Sequence, residues 1–163
     1  PLAGLIRRAK AKGLHTSLDV VHDPTGRWHR VLPALPYTDL VVPSIPEAVG
    51  ITGIADPAAA AARLRELGVT FAIVTDGPRG AWVDHDDFVG HVPAFKVDTI
   101  DTTGAGDSFT AGVLIGLIHG LGAEEAARLG AAMGALCTTT IGTFTGPDDP
   151  AEAWRLAGLE PPR

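Results

Sequence analysis

The chain has 163 residues, of which 45% are hydrophobic and 20% are charged. Its formal net charge of −6 and the lack of a Lys/Arg cluster argue against non-specific nucleic-acid binding. No apolar run reaches the roughly 17 residues of a membrane span, no signal-peptide pattern begins the chain, and the single cysteine, Cys137, excludes an internal disulfide. We expect a cytoplasmic protein, a single domain over residues 1–163, with no membrane or nucleic-acid partner.

The first third of the chain alternates short apolar runs with segments rich in turn-forming residues. Gly13 is placed to end a first helix, and the apolar run DLVV is typical of a buried strand. In chain order, the predicted elements are a helix at 2–12, a strand at 16–21, a loop at 22–36, a strand at 39–42 and a helix at 46–51.

The remaining elements have clearer boundaries. Asp56 and Pro57 form an N-cap and first-turn pair that opens a helix, and Gly68 ends it. The later predicted elements are a strand at 69–75, a hairpin of 80–84 with 88–92, helices at 106–119 and 123–137, and a short helix from 150. Because apolar strands alternate with helices, we expect an α/β fold with a mostly parallel sheet flanked by helices on both faces.

The two long predicted helices carry glycines at a spacing of four residues. Gly112, Gly116 and Gly120 line one face of the first helix, and Gly130 and Gly134 share one face of the second. Each glycine costs a helix up to about 1 kcal/mol, so close approach of a neighbouring segment is the expected compensation. A GxxxG contact between membrane helices is the alternative, which the shortness of the apolar run disfavours.

The stretch DTTGAGDSF, at 101–109, precedes the first of these helices. Gly104 and Gly106 let the backbone turn tightly and let an anion approach it, and the helix that follows offers unpaired N–H groups. A carboxylate at Asp107 would repel a bound phosphate unless it has a task, and accepting a proton from an attacking hydroxyl is such a task. A tight loop with Asp107 placed for the helix dipole remains an open alternative.

The stretch DTTGAGDSFTAG resembles the C-terminal signature of the ribokinase-like (PfkB) carbohydrate kinases. Three further segments resemble that family in the same order: SLDVVHDPTGRW, LPYTDLVVPSIPEAVGITG and VTFAIVTDGPRGAWV. The resemblance covers nearly the whole chain. It implies a ribokinase-like α/β fold and a phosphotransferase that moves the γ-phosphate of ATP to a hydroxyl of a sugar or related alcohol.

The resemblance also implies roles for individual residues. Asp107 matches the base that deprotonates the attacking hydroxyl, and Gly104, Ala105 and Gly106 match the anion hole that stabilises the transferring phosphoryl group. The other matches are Glu47 for Mg²⁺, often through water; Thr75, Gly77 and Gly80 for the nucleotide phosphates; Gly142 near the adenine; and Asp101 with the Thr103 carbonyl for a monovalent cation such as K⁺ in some members.

Two departures from the family pattern bear on function. Ser44 stands where the family has an asparagine before the glutamate, and a hydroxyl is shorter and offers one donor rather than two. The family's N-terminal half, which supplies most of the sugar-contacting residues and a lid that closes over the substrate, has no counterpart here. We therefore expect little or no sugar kinase activity from this chain alone, and a longer parent that forms a homodimer. The alternative is a non-catalytic module for nucleotide binding or oligomerisation.

Overall fold

The structure, a computed structural model, describes residues 2–21, 23–143, 149 and 151–162. The chain divides into two compact units, one formed by residues 1–76 and 82–90, the other by residues 77–81 and 91–163. The first unit holds most of the sheet, and the second holds the two long helices. The expectation of a single domain stays a prediction.

The sheet has five strands that lie side by side in chain order. They are β1 (Ser17–Leu18), β2 (Leu40–Val41), β3 (Phe71–Thr75), β4 (Ala81–His85) and β5 (Phe88–Val92). Strand β2 pairs in parallel with both β1 and β3. Because only two residues join β4 to β5, these strands pair antiparallel, as parallel strands need a crossover of a dozen residues or more. The predicted α/β fold with a mostly parallel sheet is confirmed.

Three helices belong to the first unit, namely α1 (Leu2–Ala11), α2 (Ile45–Thr52) and α3 (Pro57–Glu66). The side chains of Val41 and Val74, from β2 and β3, are fully buried in a cluster with Ala48 of α2 and Leu64 of α3. Buried β-branched residues such as these valines are typical of strands that helices cover. The predicted N-cap of α3 is present, since Asp56 Oδ1 accepts the Ala59 N–H at 2.8 Å.

The predicted loop at 22–36 is more regular than its composition suggested. Apart from His22, which lies outside the described residues, it contains two 3₁₀ turns, Trp28–Arg30 and Leu32–Tyr37. The Trp28 indole lies directly over α2, where a Cβ on Gly50 would come within 2.5 Å of its Nε1 atom. The strand predicted at 16–21 is shorter in the structure, because pairing with β2 covers only Ser17–Leu18.

The second unit contains α4 (Ala105–Ile118), α5 (Ala123–Cys137) and α6 (Ala151–Leu156). A Cβ on Gly112 would lie 2.7 Å from the Gly130 Cα, and one on Gly116 would lie 2.9 Å from the Ala126 Cα. The glycine faces therefore let α4 and α5 pack with their backbones close together. Among the residues described, no helix is both long and apolar enough to cross a membrane.

The helix–helix contact predicts opposite effects for two glycine-to-alanine changes. Gly130→Ala would put a Cβ 2.8 Å from the Phe109 carbonyl, so the helices must separate, and the free energy of unfolding should fall by about 1–3 kcal/mol. The Cβ of Gly4→Ala in α1 would meet only Arg8 Nη1, at 3.8 Å, so this change should raise the free energy of unfolding by up to about 1 kcal/mol. Urea denaturation measures both; equal effects would contradict the close contact.

Candidate active site

The end of α5 holds the segment that leads to the Gly-Ala-Gly turn. The Thr138 carbonyl accepts the N–H of Ile100 at 2.7 Å and that of Asp101 at 3.2 Å. One residue earlier, the thiol of buried Cys137 contacts the Thr103 carbonyl oxygen, with an S···O distance of 3.6 Å. These contacts fix the backbone on the approach to Gly104.

The Asp101 carboxylate is fully engaged with donors from two loops. Its Oδ1 accepts the Thr103 N–H at 2.9 Å and the Thr103 hydroxyl at 2.7 Å. Its Oδ2 accepts the Gly142 N–H at 3.0 Å. Hydrogen bonds from the Thr103 backbone, the Thr103 hydroxyl and the Gly142 backbone together hold the pKa of Asp101 below its ordinary value. Asp101 therefore ties the turn to the loop at Gly142.

Gly104 is required by both its conformation and its surroundings. It caps α4 with φ of 80°, in the left-handed region that favours glycine. A Cβ there would also lie 2.9 Å from Thr143 Cγ2. The resulting turn lets the Ala105 N–H donate to the Thr102 carbonyl at 3.2 Å. Within the described part of the chain, no carbonyl accepts the N–H groups of Gly104, Gly106 and Asp107.

Gly106 has no internal reason to lack a side chain. It lies in the first turn of α4, is exposed, and a Cβ built on it meets no atom within 4 Å. Glycine disfavours a helix by up to about 1 kcal/mol relative to alanine. The described residues thus give no packing reason for a glycine here, and open space at a helix N-terminus is compatible with a bound anion.

Asp107 follows directly and lies in the same first turn. Its side chain is exposed and makes no hydrogen bond or ion pair with any residue that the structure describes. An unpaired carboxylate beside free backbone donors agrees with both open interpretations, namely a base and a charge placed for the helix dipole. The role of base for Asp107 stays a prediction.

The first unit brings Glu47 and Thr75 to one edge of the sheet. Ser44 caps α2 just beyond β2, and it forms a parallel bridge with Thr75 at the end of β3. The Thr75 N–H donates to the Pro43 carbonyl at 2.9 Å. Half-buried Glu47 accepts both the N–H and the hydroxyl of Ser44 on Oε2, each at 2.7 Å. This edge, at the carboxyl ends of parallel strands, is where α/β sheets bind ligands.

The remaining predicted glycines lie in the second unit and differ in their surroundings. Gly80 has φ of 99°, and a Cβ there would lie 2.1 Å from the Val92 carbonyl oxygen, so packing alone explains it. A Cβ on Gly77 or Gly142 would meet no atom within 4 Å. Their proposed approach to a nucleotide stays a prediction, as does that of Gly80.

No group of three or more His, Cys, Asp or Glu side chains in the described part of the chain could hold a metal ion. A divalent cation would thus depend on Glu47 together with phosphate oxygens, the usual manner for Mg²⁺. Glu47 fits such a role through Oε1, which has no partner among the described residues. For K⁺, the Thr103 carbonyl and the Asp101 oxygens are of the right chemical type.

Two contacts of the site had little or no local signal in the sequence. Thr138 and Thr143 contact the turn segment from about 40 positions further along the chain, so nothing near the turn in sequence indicates them. The bond between Ser44 and Glu47 did have a signal, because Ser-x-x-Glu before an apolar run is the capping-box pattern.

The model of the pfkB family carbohydrate kinases matches residues 2–150. The chain belongs to this family. It is 37% identical over 134 residues to a fructokinase of Klebsiella pneumoniae, covering 78% of this chain and 44% of that protein. It is 42% identical over 84 residues to fructokinase-2 of Zea mays, covering 47% of this chain and 25% of that protein. The family resemblance of the sequence is thereby confirmed.

Solved structures of the family share the fold. A PfkB protein from Polaromonas sp. JS666 has a TM-score of 0.76 at 31% identity, over 88% of this chain and 49% of that one. A Vibrio cholerae fructokinase with bound fructose, ADP and potassium ion has a TM-score of 0.81 at 26% identity, over 94% of this chain and 54% of that one. This PfkB chain therefore has a ribokinase-like fold and spans about half the length of these relatives, or less.

The Asp101 hydrogen bonds predict a pH-dependent contribution to stability. Because the folded pKa lies below the unfolded value of about 3.9, ionised Asp101 stabilises the fold fully above about pH 5. The stabilisation is lost as the pH falls through the folded pKa. Urea denaturation of the wild type and of Asp101→Asn should show a difference that is constant from about pH 5 to 7 and shrinks below about pH 4. A difference that persists undiminished at pH 3 would contradict this assignment.

Proposed function

We propose that this PfkB chain binds the terminal phosphates of ATP at the N-terminus of α4 and supports transfer of the γ-phosphoryl group to a hydroxyl of a sugar or related alcohol. One observation carries the proposal. Gly106 leaves open space at a helix N-terminus where the N–H groups of Gly104, Gly106 and Asp107 have no acceptor among the described residues, and the Asp107 carboxylate, likewise without a described partner, lies in the same turn.

The chemistry assigns a separate task to each group. The Asp107 carboxylate accepts the proton of the substrate hydroxyl, whose oxygen bonds to the γ-phosphorus while the bond from phosphorus to the ADP oxygen breaks. The free N–H groups at Gly104, Gly106 and Asp107 stabilise the negative charge on the transferring group. The N-terminal end of the helix dipole acts in the same direction.

Other residues take the roles that the family resemblance implies. Thr75, Gly77 and Gly80 approach the nucleotide phosphates, and Gly142 approaches the adenine. Asp101 and the Thr103 carbonyl hold K⁺, which is consistent with the potassium ion bound to the Vibrio cholerae fructokinase.

A bound Mg²⁺ would neutralise phosphate charge, and Glu47 would hold it through water with Oε1. We propose a class of phosphoryl acceptor, sugars and related alcohols, rather than one compound. Relatives include fructokinases, an inositol 3-kinase of Arabidopsis thaliana at 41% identity, and an aminoimidazole riboside kinase of Salmonella enterica at 25% identity. Their acceptors share a ring that carries hydroxyl groups.

A non-catalytic nucleotide-binding or oligomerisation module is the second candidate. It is favoured by Ser44, which stands where the family has an asparagine and offers one side-chain donor rather than two. Calorimetric titration with ATP, followed by transfer of labelled γ-phosphate to a panel of sugars, separates the two. We expect the chain alone to bind ATP with little transfer, and expect transfer once it is joined to the remainder of the Klebsiella pneumoniae fructokinase.

The assigned base predicts a large loss of turnover for one substitution. Asp107→Asn keeps the shape of the side chain but removes the proton acceptor, so turnover of the joined protein should fall at least about 100-fold. The affinity for ATP should change by less than about threefold. Asp98→Asn is the matched control, because Asp98 is an exposed aspartate in the same unit with no described partner. Turnover equal in both variants would reject the role of Asp107.

The open space at Gly106 predicts that stability and binding move in opposite directions. Gly106→Ala should raise the free energy of unfolding by up to about 1 kcal/mol, since the added methyl group meets no atom and favours the helix. The same methyl group should weaken ATP binding, because it fills the space that the phosphate needs. Urea denaturation and calorimetry on the same preparation measure both. Unchanged ATP affinity in the stabilised variant would argue against phosphate binding at this turn.

A further inference from the structure

The bond between Ser44 and Glu47 does more than a capping box requires. In a capping box, the N-cap hydroxyl accepts the N–H three residues on, while the glutamate accepts the N–H of the N-cap residue. Here Glu47 Oε2 accepts the Ser44 N–H, and it also accepts the Ser44 hydroxyl proton at 2.7 Å. The hydroxyl bond therefore adds a second restraint on the same carboxylate oxygen.

The two restraints fix the direction of the carboxylate. Two donors from one residue hold Oε2, so rotation of the carboxylate would break at least one hydrogen bond. Oε1 is left without a partner among the described residues, on a side chain that is only half-buried. An oriented carboxylate with one free oxygen is what a water molecule or a hydrated divalent cation needs as a ligand.

The location of this pair agrees with a ligand-facing role. Ser44 follows β2 and bridges to Thr75 at the end of β3, so Glu47 starts a helix at the carboxyl edge of the parallel strands. Pro43, between the strand and the cap, is fully buried and accepts the Thr75 N–H at 2.9 Å. The backbone that carries Ser44 is thus held by the sheet as well as by its own helix.

We infer that Ser44 is a positioning residue, whose hydroxyl orients Glu47 toward the divalent cation that accompanies ATP. The inference rests on the proposed function. The serine is not merely a shorter replacement for an asparagine, because its hydroxyl reaches the glutamate carboxylate directly. Its contribution appears in the effect of Mg²⁺ on nucleotide binding rather than in the stability of α2.

Ser44→Gly separates these two effects. Glycine is an acceptable N-cap residue, so the melting temperature should change by no more than about 1–2 °C. The main-chain N–H bond to Glu47 remains, whereas the hydroxyl is lost both as the donor to Oε2 and as the capping acceptor of the Glu47 N–H. The dissociation constant for ATP is measured by calorimetry with excess Mg²⁺ and with EDTA. The Mg²⁺ effect is the dissociation constant in EDTA divided by the dissociation constant in excess Mg²⁺. We expect this ratio to be about tenfold smaller in Ser44→Gly than in the wild type, the usual effect of losing a partner of a metal ligand.

Two further variants serve as controls. Ser44→Thr keeps a hydroxyl at the cap and should restore the Mg²⁺ effect. Asp56→Ala removes the N-cap of α3 and should lower the melting temperature by about 2–4 °C while leaving the Mg²⁺ effect intact.

The outcomes distinguish this inference from the proposed function. A Mg²⁺ effect in Ser44→Gly equal to that of the wild type would overturn the positioning role while ATP binding stands. Loss of the effect in Asp56→Ala to the same extent as in Ser44→Gly would also overturn it, since general destabilisation would then explain both. Absence of ATP binding by the wild type in either condition would instead overturn the proposed function.

Discussion

The close packing of α4 against α5 fixes the candidate phosphate-binding turn. Gly134 of α5 lies so near the start of α4 that an added Cβ would be 3.1 Å from the Ala105 carbonyl oxygen. The Thr138 carbonyl at the end of α5 holds the residues before the turn. One helix thus positions both sides of the Gly-Ala-Gly bend. Because a backbone anion hole works only when its N–H groups are held in place, this contact is the physical basis of the proposed activity.

Hydrogen bonds of the Asp101 carboxylate also hold this turn in place. Asp101 binds the Thr103 backbone and hydroxyl on one oxygen and the Gly142 N–H on the other. Two carboxylates of the signature therefore have contrasting surroundings. Asp101 is engaged with donors on both oxygens, whereas Asp107 has no partner in the part of the chain that the structure describes. Asp101 thus supports the structure of the turn, whereas a carboxylate without a described partner is a condition that the proposed role of Asp107 as a base requires.

The fold was largely predictable because its signals are local. Asp56, Pro57 and Gly68 mark the ends of α3 by backbone chemistry that operates within a few residues, and the structure places that helix at Pro57–Glu66. The predicted span of α5 agrees with the observed helix Ala123–Cys137. The loop at 22–36 was less predictable, since its first 3₁₀ turn carries the Trp28 indole, which packs over Gly50, a residue 22 positions away.

The sequence by itself determined the class of fold, the family and the position of the phosphate-binding candidate. The glycines, the acid and the apolar run of that signature are contiguous, so their chemistry can be read from spacing. Only the tertiary structure decided which groups are free to act. It showed that Asp101 binds the Gly142 N–H, that Gly104 lies against Thr143, and that Gly106 faces open space among the described residues. These facts depend on hydrogen bonds and distances between segments that folding brings together, and no local pattern encodes them.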